Sequence, residues 1–272
     1  LIPEDYAVGA DLSFLKWAED KGIVFKDSGK PKKGLQIFED HGYNWIRLRL
    51  FHSPAELPNN IDYTVALAQE AKSLGYKFLL NFHYSDTWAD PQQQTIPRAW
   101  QGMAHSKLIQ AVRQYTRDTI IAFANAGAMP DMVQPGNEIT PGMLWPDGKL
   151  PENKKNFLEL LKYAIEGISE GSEGYNHPKT MIHIDKGGDK SATGQFFDML
   201  EAGGIRYDVI GQSYYPWWHG TLDDLRGNLA FMAQRYERDI IVVEAAWCWR
   251  PTEYKDKHSP YPETPEGQKQ FL

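Results

Sequence analysis

Short apolar segments alternate with longer amphipathic ones along the whole sequence. Seven of the short segments are largely apolar, which is typical of strands in a parallel sheet that is covered by helices on both faces. Pro135 is unexpected inside the fourth of them, because proline has no N–H to donate to a neighbouring strand. We predict strands at Tyr6–Leu12, Trp45–Phe51, Lys77–His83, Met132–Gly136, Thr180–Ile184, Val209–Tyr214 and Ile240–Val243.

The segments between the strands place apolar residues at helical spacing. One of them, Tyr63–Leu74, is followed by Gly75, and glycine is a common residue at a helix end. Strands that alternate with helices of this length indicate βαβ units and a parallel sheet. We predict further helices at Leu108–Ala126, Asn153–Ile168, Ala192–Glu201 and Leu222–Tyr236.

The last residues bear on how many strands the sheet would have. Thr264, Pro265 and Glu266 form a typical helix start, yet the sequence stops at Leu272 before an eighth strand. We therefore expect an α/β fold of the (β/α)8 TIM-barrel type without its C-terminal βα unit, and one catalytic domain over residues 1–272, truncated at its C-terminus. An open doubly wound sheet is less favoured, because no G-x-G-x-x-G loop follows the first strand.

Composition and charge exclude several classes of function. The net charge is −7 without a run of basic residues, so we expect no nucleic-acid partner. No stretch approaches the ~18 uninterrupted apolar residues of a membrane span. Cys248 is the single cysteine, so no disulfide can form within the chain. As a separate expectation, we predict a monomer.

Aromatic residues make up 13% of the chain, including 9 Trp and 14 Tyr. They either fill the core or line a cleft, where flat apolar rings suit the faces of sugars. Six tryptophans fall beyond the ends of predicted strands, beside the carboxylates, which favours the cleft for these six: Trp88, Trp145, Trp217, Trp218, Trp247 and Trp249.

Polar side chains also gather at the C-terminal ends of the predicted strands, where barrel enzymes carry their chemistry. Arg47 and Arg49 lie two residues apart on the second strand, so they point the same way. A solvated loop would explain any one such residue, but not all of them together. The others include Asp11, His83, Asp86, Asn137, Glu138, His183, Asp185, Tyr215 and Glu244.

Two of these carboxylates, Glu138 and Glu244, follow the fourth and seventh strands directly. Glycoside hydrolysis uses such a pair: one ionised carboxylate attacks the anomeric carbon, and the other protonates the leaving oxygen and later activates water. Arginines favour the ionised form of a nearby carboxylate, and Arg47 and Arg49 are candidates for this role.

Several short segments along the chain form a recognisable set. The longest and most specific is HYSDTWADP at His83 to Pro91. The others are GADLS from Gly9, GNEI from Gly136, LWPDG from Leu144, MIHID from Met181, YYP from Tyr214, VE at Val243 and TPEGQ from Thr264. With these segments, which span essentially the whole chain in order, the sequence resembles glycoside hydrolase family 53, the endo-β-1,4-galactanases, within the retaining clan A enzymes.

The resemblance implies a role for each matching residue. Glu138 would be the general acid/base and Glu244 the nucleophile, with Tyr215 orienting Glu244. Asn137 would hydrogen-bond the sugar 2-hydroxyl, and Arg49 with Arg47 would keep the nucleophile ionised. The sugar subsites would be shaped by His83, Asp86, Trp88, His183 and Asp185, with Trp247 in a binding or supporting position.

The resemblance also implies a substrate and a location. The substrate would be the β-1,4-galactan side chains of plant pectin, cut internally, and the protein would be secreted, periplasmic or at the cell surface. No metal ligand or cofactor is expected in this chain. The family's eighth-strand Trp-Glu-Pro-type motif is absent, and the calcium that bacterial members often bind would belong to that missing part.

Three alternatives remain open from the residues alone. The carboxylate pair does not distinguish a galactanase from a mannanase, a xylanase or an exo-β-galactosidase. A metal-dependent hydrolase is disfavoured, because the first strand lacks an H-x-H cluster. A non-catalytic carbohydrate-binding barrel is disfavoured, because a protein that only binds sugar has no use for both glutamates.

Overall fold

The computed structural model describes residues 6–252 and 260–272. Within these ranges the chain forms eleven strands, eight α-helices and a 3-10 turn at Arg98–Trp100. The strands are β1 (Gly9–Asp11), β2 (Lys26–Asp27), β3 (Lys30–Pro31), β4 (Trp45–Leu50), β5 (Lys77–Phe82), β6 (Met132–Pro135), β7 (Gly142–Met143), β8 (Gly148–Lys149), β9 (Lys179–Ile184), β10 (Val209–Tyr214) and β11 (Asp239–Ala245). The helices are α1 (Leu15–Asp20), α2 (Gly34–Asp40), α3 (Ile61–Ser73), α4 (His105–Asn125), α5 (Lys154–Gly171), α6 (Lys190–Ala202), α7 (Leu222–Tyr236) and α8 (Pro265–Phe271).

All seven predicted strands are present, as β1, β4, β5, β6, β9, β10 and β11. The five predicted helices are also present, as α3 to α7, and the helix start at Thr264 is confirmed as the N-cap of α8. The predicted α/β fold of alternating parallel strands and helices is thereby confirmed. Two short helices, α1 and α2, and the hairpins β2–β3 and β7–β8 were not predicted, because segments this short carry little periodicity.

The chain divides into two compact units, and the boundary falls inside β9. The first comprises the residues up to Asn137 together with Gly142–Thr180; the second comprises Glu138–Pro141 and the residues from Met181 onward. Compactness does not show independent folding, so the expectation of one catalytic domain stays a prediction.

In the first unit, β1, β4, β5 and β6 are parallel neighbours in that order, and the first residues of β9 pair with β6. The register places Arg49, Asn81 and Gln134 side by side on three adjacent strands. Between these polar positions the strands contribute fully buried apolar side chains such as Phe78 and Leu80. Each such side chain stabilises the fold by about 1.5–3 kcal/mol.

Helices α4 and α5 of this unit pack very closely, because α5 presents glycines to α4. A Cβ atom at Gly167 would lie 2.5 Å from the carbonyl oxygen of Arg113, and one at Gly171 would lie 2.7 Å from that of Arg117. Both distances are far shorter than a normal carbon–oxygen contact. Glycine is therefore required at both positions for the backbones to come this close.

Pro135 fits into β6 because of where the strand pairs. It is the last residue of β6 and lies opposite Phe82 of β5, where the next residue, Gly136, donates its N–H to the Phe82 carbonyl. Pairing of β6 with β9 involves Met132 and Val133 only. Pro135 thus lies beyond that ladder, where its missing N–H costs no hydrogen bond.

In the second unit, β9, β10 and β11 are parallel neighbours, with α6 and α7 following β9 and β10 along the chain. Helix α7 begins with a capping box, in which Thr221 and Asp224 bond each other's backbone N–H groups. The pairing of β10 with β11 is irregular: Gln212 pairs with Val242, but Ser213 pairs with Glu244. One residue, Val243, is therefore extra on β11, which is a β-bulge.

None of the helices in the described ranges is long and apolar enough to cross a membrane.

His105, the first residue of α4, joins three elements of the first unit. Its Nδ1 lies 2.6 Å from Asp147, in the β7–β8 turn, and its Nε2 lies 2.7 Å from Glu159, on α5. Burial alone would lower the pKa of His105, but the hydrogen bonds and charges of Asp147 and Glu159 outweigh it and raise the pKa above 6.5. Two carboxylates can be bonded in this way only by the doubly protonated ring.

We predict that His105→Asn destabilises the protein mainly at acidic pH. A raised folded pKa gives stability that is fully present below the unfolded pKa and is lost as the pH rises through the folded pKa. Thermal unfolding should show a midpoint lowered by roughly 3–6 °C at pH 5, with the difference shrinking toward pH 9. His177→Asn is the control, because exposed His177 bonds Ser172 rather than a carboxylate. A difference independent of pH would contradict the prediction.

Candidate active site

Six of the twelve predicted site residues lie in the first unit and six in the second. The first six are Arg47, Arg49, His83, Asp86, Trp88 and Asn137, and the second six are Glu138, His183, Asp185, Tyr215, Glu244 and Trp247.

Arg47 and Arg49 both bind Asp11, at the end of β1. The Arg47 Nη1 lies 2.8 Å and the Arg49 Nε 2.7 Å from the same oxygen, Asp11 Oδ2. The other Asp11 oxygen accepts from the Ser13 hydroxyl at 2.5 Å. The prediction that the two arginines point the same way is therefore confirmed. Alternation along β4 places them on one face, and the shared carboxylate fixes their separation.

Arg47 is only 4% exposed and is the centre of a buried polar network. Its Nη2 donates to the side-chain oxygens of Asn137 and Gln134, at 2.8 and 3.2 Å. Asn81 donates to the same Asn137 oxygen at 3.0 Å and accepts from Gln134 Nε2 at 2.8 Å. These bonds fix the Asn137 amide with its oxygen toward the arginine, and its nitrogen donates to the carbonyl of Ala89 at 2.8 Å.

The HYSDTWADP segment is held by its own polar residues. His83 Nδ1 accepts from the backbone N–H of Ala89 at 2.9 Å, so the ring proton is on Nε2 if the ring is neutral. Asp86 accepts from the backbone N–H of Ser53 at 3.0 Å and from that of Arg98 at 2.8 Å. Both Asp86 oxygens thus anchor loops.

Trp88 is the most open aromatic ring in this segment, with 36% of its surface exposed. The Arg49 guanidinium lies 5.0 Å from the ring centre, and the edges of Phe51 and His83 support the ring. A ring held in this way and open to solvent is suited to stack on a sugar face. The predicted contacts of the first-unit residues with substrate stay predictions.

In the second unit, Glu138 is 8% exposed and has a left-handed backbone, with φ of 49°. That conformation is unfavourable for a residue with a side chain, and such residues are enriched at functional sites. Its Oε1 accepts from the hydroxyl of Ser213 at 2.6 Å, and Ser213 Oγ lies 2.8 Å from His183 Nε2. Both Ser213 and His183 are fully buried.

Glu244 follows the bulge on β11. Because Val243 is extra, Glu244 rather than Val243 pairs with Ser213. Residues paired across adjacent strands share a face of the sheet, so the bulge turns the Glu244 side chain to the face that carries Ser213. Its Oε2 accepts from the hydroxyl of Tyr215 at 2.7 Å.

Tyr215 is positioned by His219. The Tyr215 backbone N–H donates to His219 Nδ1 at 2.9 Å. Burial lowers the pKa of His219, even though the charges of Asp185 and Glu244 act in the opposite direction. The ring is therefore neutral near pH 7, and this leaves Nδ1 as the acceptor that the Tyr215 N–H needs.

Asp185 lines an open cavity of the second unit. Its Oδ1 accepts from the Thr140 hydroxyl at 2.6 Å, and its Oδ2 pairs with Lys186 at 2.9 Å. The cavity has a volume of about 410 Å³ and is also lined by His219 and by Trp218, which is 62% exposed. A carboxylate, an ammonium group and an exposed indole are the kinds of group that bind a sugar residue.

The six tryptophans assigned to a cleft have different surroundings. Trp218, Trp249 and Trp88 are exposed, and their place in a cleft stays a prediction. Trp247 is only 2% exposed; it stacks on Trp217 with ring centres 5.7 Å apart and donates its indole N–H to the Pro262 carbonyl. Trp247 is therefore enclosed by protein, and a binding or supporting role for it stays a prediction.

Three residues that the sequence analysis did not select are central to these networks: Asn81, Gln134 and Ser213. Each is a fully buried polar residue inside a mainly apolar strand. Such residues are costly unless they are hydrogen-bonded. That pattern was the available signal, and it was visible in the segments KFLLNF, MVQP and VIGQSY.

No group of three or more His, Cys, Asp and Glu side chains among the described residues could hold a metal ion. The expectation that the chain needs no cofactor stays a prediction.

Comparison with known proteins adds three relatives. An uncharacterised protein from the bgaB 5' region of Niallia circulans is 41% identical, over 100% of this chain and 78% of its own length. An arabinogalactan endo-beta-1,4-galactanase of Thermothelomyces thermophilus is 35% identical, over 97% of this chain and 82% of its own. A solved structure from a study of two fungal beta-1,4-galactanases matches with a TM-score of 0.92 and 34% identity, over 98% of this chain and 83% of that one.

The alternating parallel strands and the carboxylates at their ends, together with these matches, define a glycoside hydrolase of the TIM-barrel class. The sequence model of Glycosyl hydrolase family 53 matches residues 7–272. The chain belongs to this family, as the resemblance implied.

We predict that Arg47→Met costs about 3 kcal/mol of unfolding free energy, because it removes a buried, charged donor from the side-chain oxygens of Gln134 and Asn137. Arg235→Met is the matched control: Arg235 pairs with Asp198 at 2.7 Å, but both side chains are about half exposed, at 49% and 45%. The control should lose far less stability, because an ion pair that is open to solvent contributes little. Urea unfolding measures both, and equal losses would contradict the prediction.

Proposed function

We propose that this chain is an endo-acting β-1,4-galactanase that retains the anomeric configuration, with Glu138 as general acid/base and Glu244 as nucleophile. The observation that carries the assignment is the position of Ser213 in the second unit. Its hydroxyl bonds Glu138, and its backbone is the register partner of Glu244. Both carboxylates are thereby related to one serine, which supports their acting as a pair on one bond.

In the first step, the ionised Glu244 attacks the anomeric carbon and forms a covalent glycosyl-enzyme bond. Glu138 gives its proton to the glycosidic oxygen, and the leaving chain departs as an alcohol. In the second step, Glu138 takes a proton from water, which attacks the anomeric carbon and releases Glu244. Two inversions at one carbon give net retention.

The hydrogen bond from Tyr215 supports Glu244 in the first step. The Tyr215 hydroxyl donates to Glu244 Oε2, which favours the ionised form of the carboxylate and fixes its rotation. The backbone of Tyr215 is itself held by His219. Glu244 is thus oriented by Tyr215, and Tyr215 is in turn held by His219 of the same loop.

The substrate is proposed from the family and from its named members. The Thermothelomyces protein is an arabinogalactan endo-beta-1,4-galactanase. For this chain we propose β-1,4-galactan, as in the type I arabinogalactan side chains of pectin. The cavity beside Asp185 and Trp218 would receive one sugar of that chain.

The size of the substrate implies a location. A polysaccharide does not cross a membrane unaided, so an enzyme that cuts it internally must meet it outside the cytoplasm. We therefore propose that the protein acts as a secreted, periplasmic or cell-surface enzyme.

The substrate is tested by product analysis. Linear β-1,4-galactan should be cut to a series of galacto-oligosaccharides, whereas mannan, xylan and cellulose should stay intact. NMR of the first product should show the β-anomer before mutarotation. Cleavage of mannan or xylan instead would assign the chain to another glycanase activity, and release of galactose alone would indicate an exo-acting enzyme.

We predict that Glu244→Gln lowers kcat on galactan by at least 10⁴-fold, because the amide cannot attack the anomeric carbon. Binding of galacto-oligosaccharides, measured by calorimetry, should remain. Glu266→Gln is the control, since Glu266 lies in the first turn of α8 and has no assigned role. Turnover by Glu244→Gln would show that the nucleophile is another residue.

A further inference from the structure

Ser213 lies between three functional side chains of the second unit without having a role in the reaction described above. It is fully buried near the end of β10, bonds Glu138 Oε1 at 2.6 Å and lies 2.8 Å from His183 Nε2. Its backbone pairs with Glu244 across the bulge. A hydroxyl in this place costs free energy unless both of its hydrogen bonds are made.

The direction of these two bonds follows from the number of protons. A serine hydroxyl has one hydrogen, and Ser213 donates it to Glu138 Oε1. The bond to His183 must therefore run from Nε2–H to the serine oxygen. His183 thus fixes the direction of the Ser213 hydroxyl, and Ser213 fixes the rotation of the Glu138 carboxyl group. In the acid form of Glu138, the proton then sits on Oε2, because Oε1 already faces a donor.

Serine hydrolases also combine a serine, a histidine and a carboxylate, in which the serine is the nucleophile, the histidine is the base and the carboxylate orients the histidine. The order of the three residues here is different. In a hydrolase triad the histidine lies between the serine and the carboxylate, so that it can take the proton of the serine. Here the serine lies between the histidine and the carboxylate, and it is fully buried. Ser213 therefore gives its hydrogen bond to the carboxylate and not to the histidine, which is not the arrangement of a serine nucleophile.

We propose that Ser213, held by His183, is a positioning residue for the general acid: it aims the proton-bearing oxygen of Glu138 at the leaving group. This inference rests on the proposed role of Glu138. Without the bond to Ser213, the carboxyl group could rotate, and the proton would be misplaced in a share of the enzyme molecules.

The proposal is tested with two substrates that differ in their need for an acid. When galactan is cut, the leaving group is a sugar hydroxyl, which must be protonated as it departs. When a dinitrophenyl β-1,4-galactobioside is cut, the leaving group is dinitrophenolate, a stable anion that needs no proton. The quantity to compare is kcat/KM, which reports the steps up to the covalent intermediate. Ser213→Ala should lower it about 10- to 100-fold on galactan and less than about threefold on the aryl substrate.

Two further variants separate positioning from general structural damage. Ser213→Thr keeps the hydroxyl and should restore most of the activity on galactan. Ser172→Ala is the matched control: Ser172 is also buried and bonds a histidine, His177, at 2.6 Å, but no carboxylate. It should change neither substrate's kcat/KM. KM for galactan should stay constant in Ser213→Ala while kcat falls.

The measurements distinguish a wrong role for Ser213 from a wrong proposed function. An equal loss on both substrates, or no loss on galactan, would overturn the role of Ser213. If the wild-type protein does not cut galactan, or if Glu138→Gln still cuts it at the wild-type rate, the proposed function itself fails. Glu138→Gln should otherwise show the same selective loss as Ser213→Ala, but larger.

Discussion

The second unit depends on one irregular strand pairing. A sheet alternates its side chains strictly, so a strand that continued in register after Val242 would turn Glu244 away from the face that carries Ser213. The single extra residue on β11 reverses that alternation. The extra residue interrupts the hydrogen-bond ladder between β10 and β11, and it places the Glu244 carboxylate where Tyr215 can donate to it. The site chemistry in this unit follows from that placement.

The first unit contains a charged side chain inside its sheet, and hydrogen bonds to neighbouring polar side chains compensate for its burial. Arg47 is almost fully buried, yet it bonds oxygens of Asp11, Gln134 and Asn137, and Asn81 completes the network. A fully connected polar network is rigid, because a rotation of any member breaks the bonds of its neighbours. Asn137 is therefore held in a single orientation directly before Glu138 in the chain.

The sequence predicted the fold well because the seven strands and five longer helices each repeat their pattern over several residues. It also singled out both glutamates as candidates, since a charged residue directly after an apolar segment is uncommon, and their catalytic roles stay a proposal. It could not indicate the bulge at Val243 or the role of Ser213, because both depend on register between strands that lie far apart in the chain. Nor could it show that Trp247 is enclosed, since contact with Trp217 and Pro262 arises only in the folded chain.

The close contact between α4 and α5 has a consequence for engineering the protein to withstand heat. Replacing a helical glycine by alanine commonly stabilises a protein by about 0.4–1 kcal/mol, because it restricts the unfolded chain. At Gly167 and Gly171 the added carbon would collide with backbone oxygens of α4, so the same replacement would push the helices apart. Gly227 in α7 has open space at the corresponding position. Thermal tolerance can thus be raised by alanine at one helical glycine and lost by alanine at two others, although all three lie within helices.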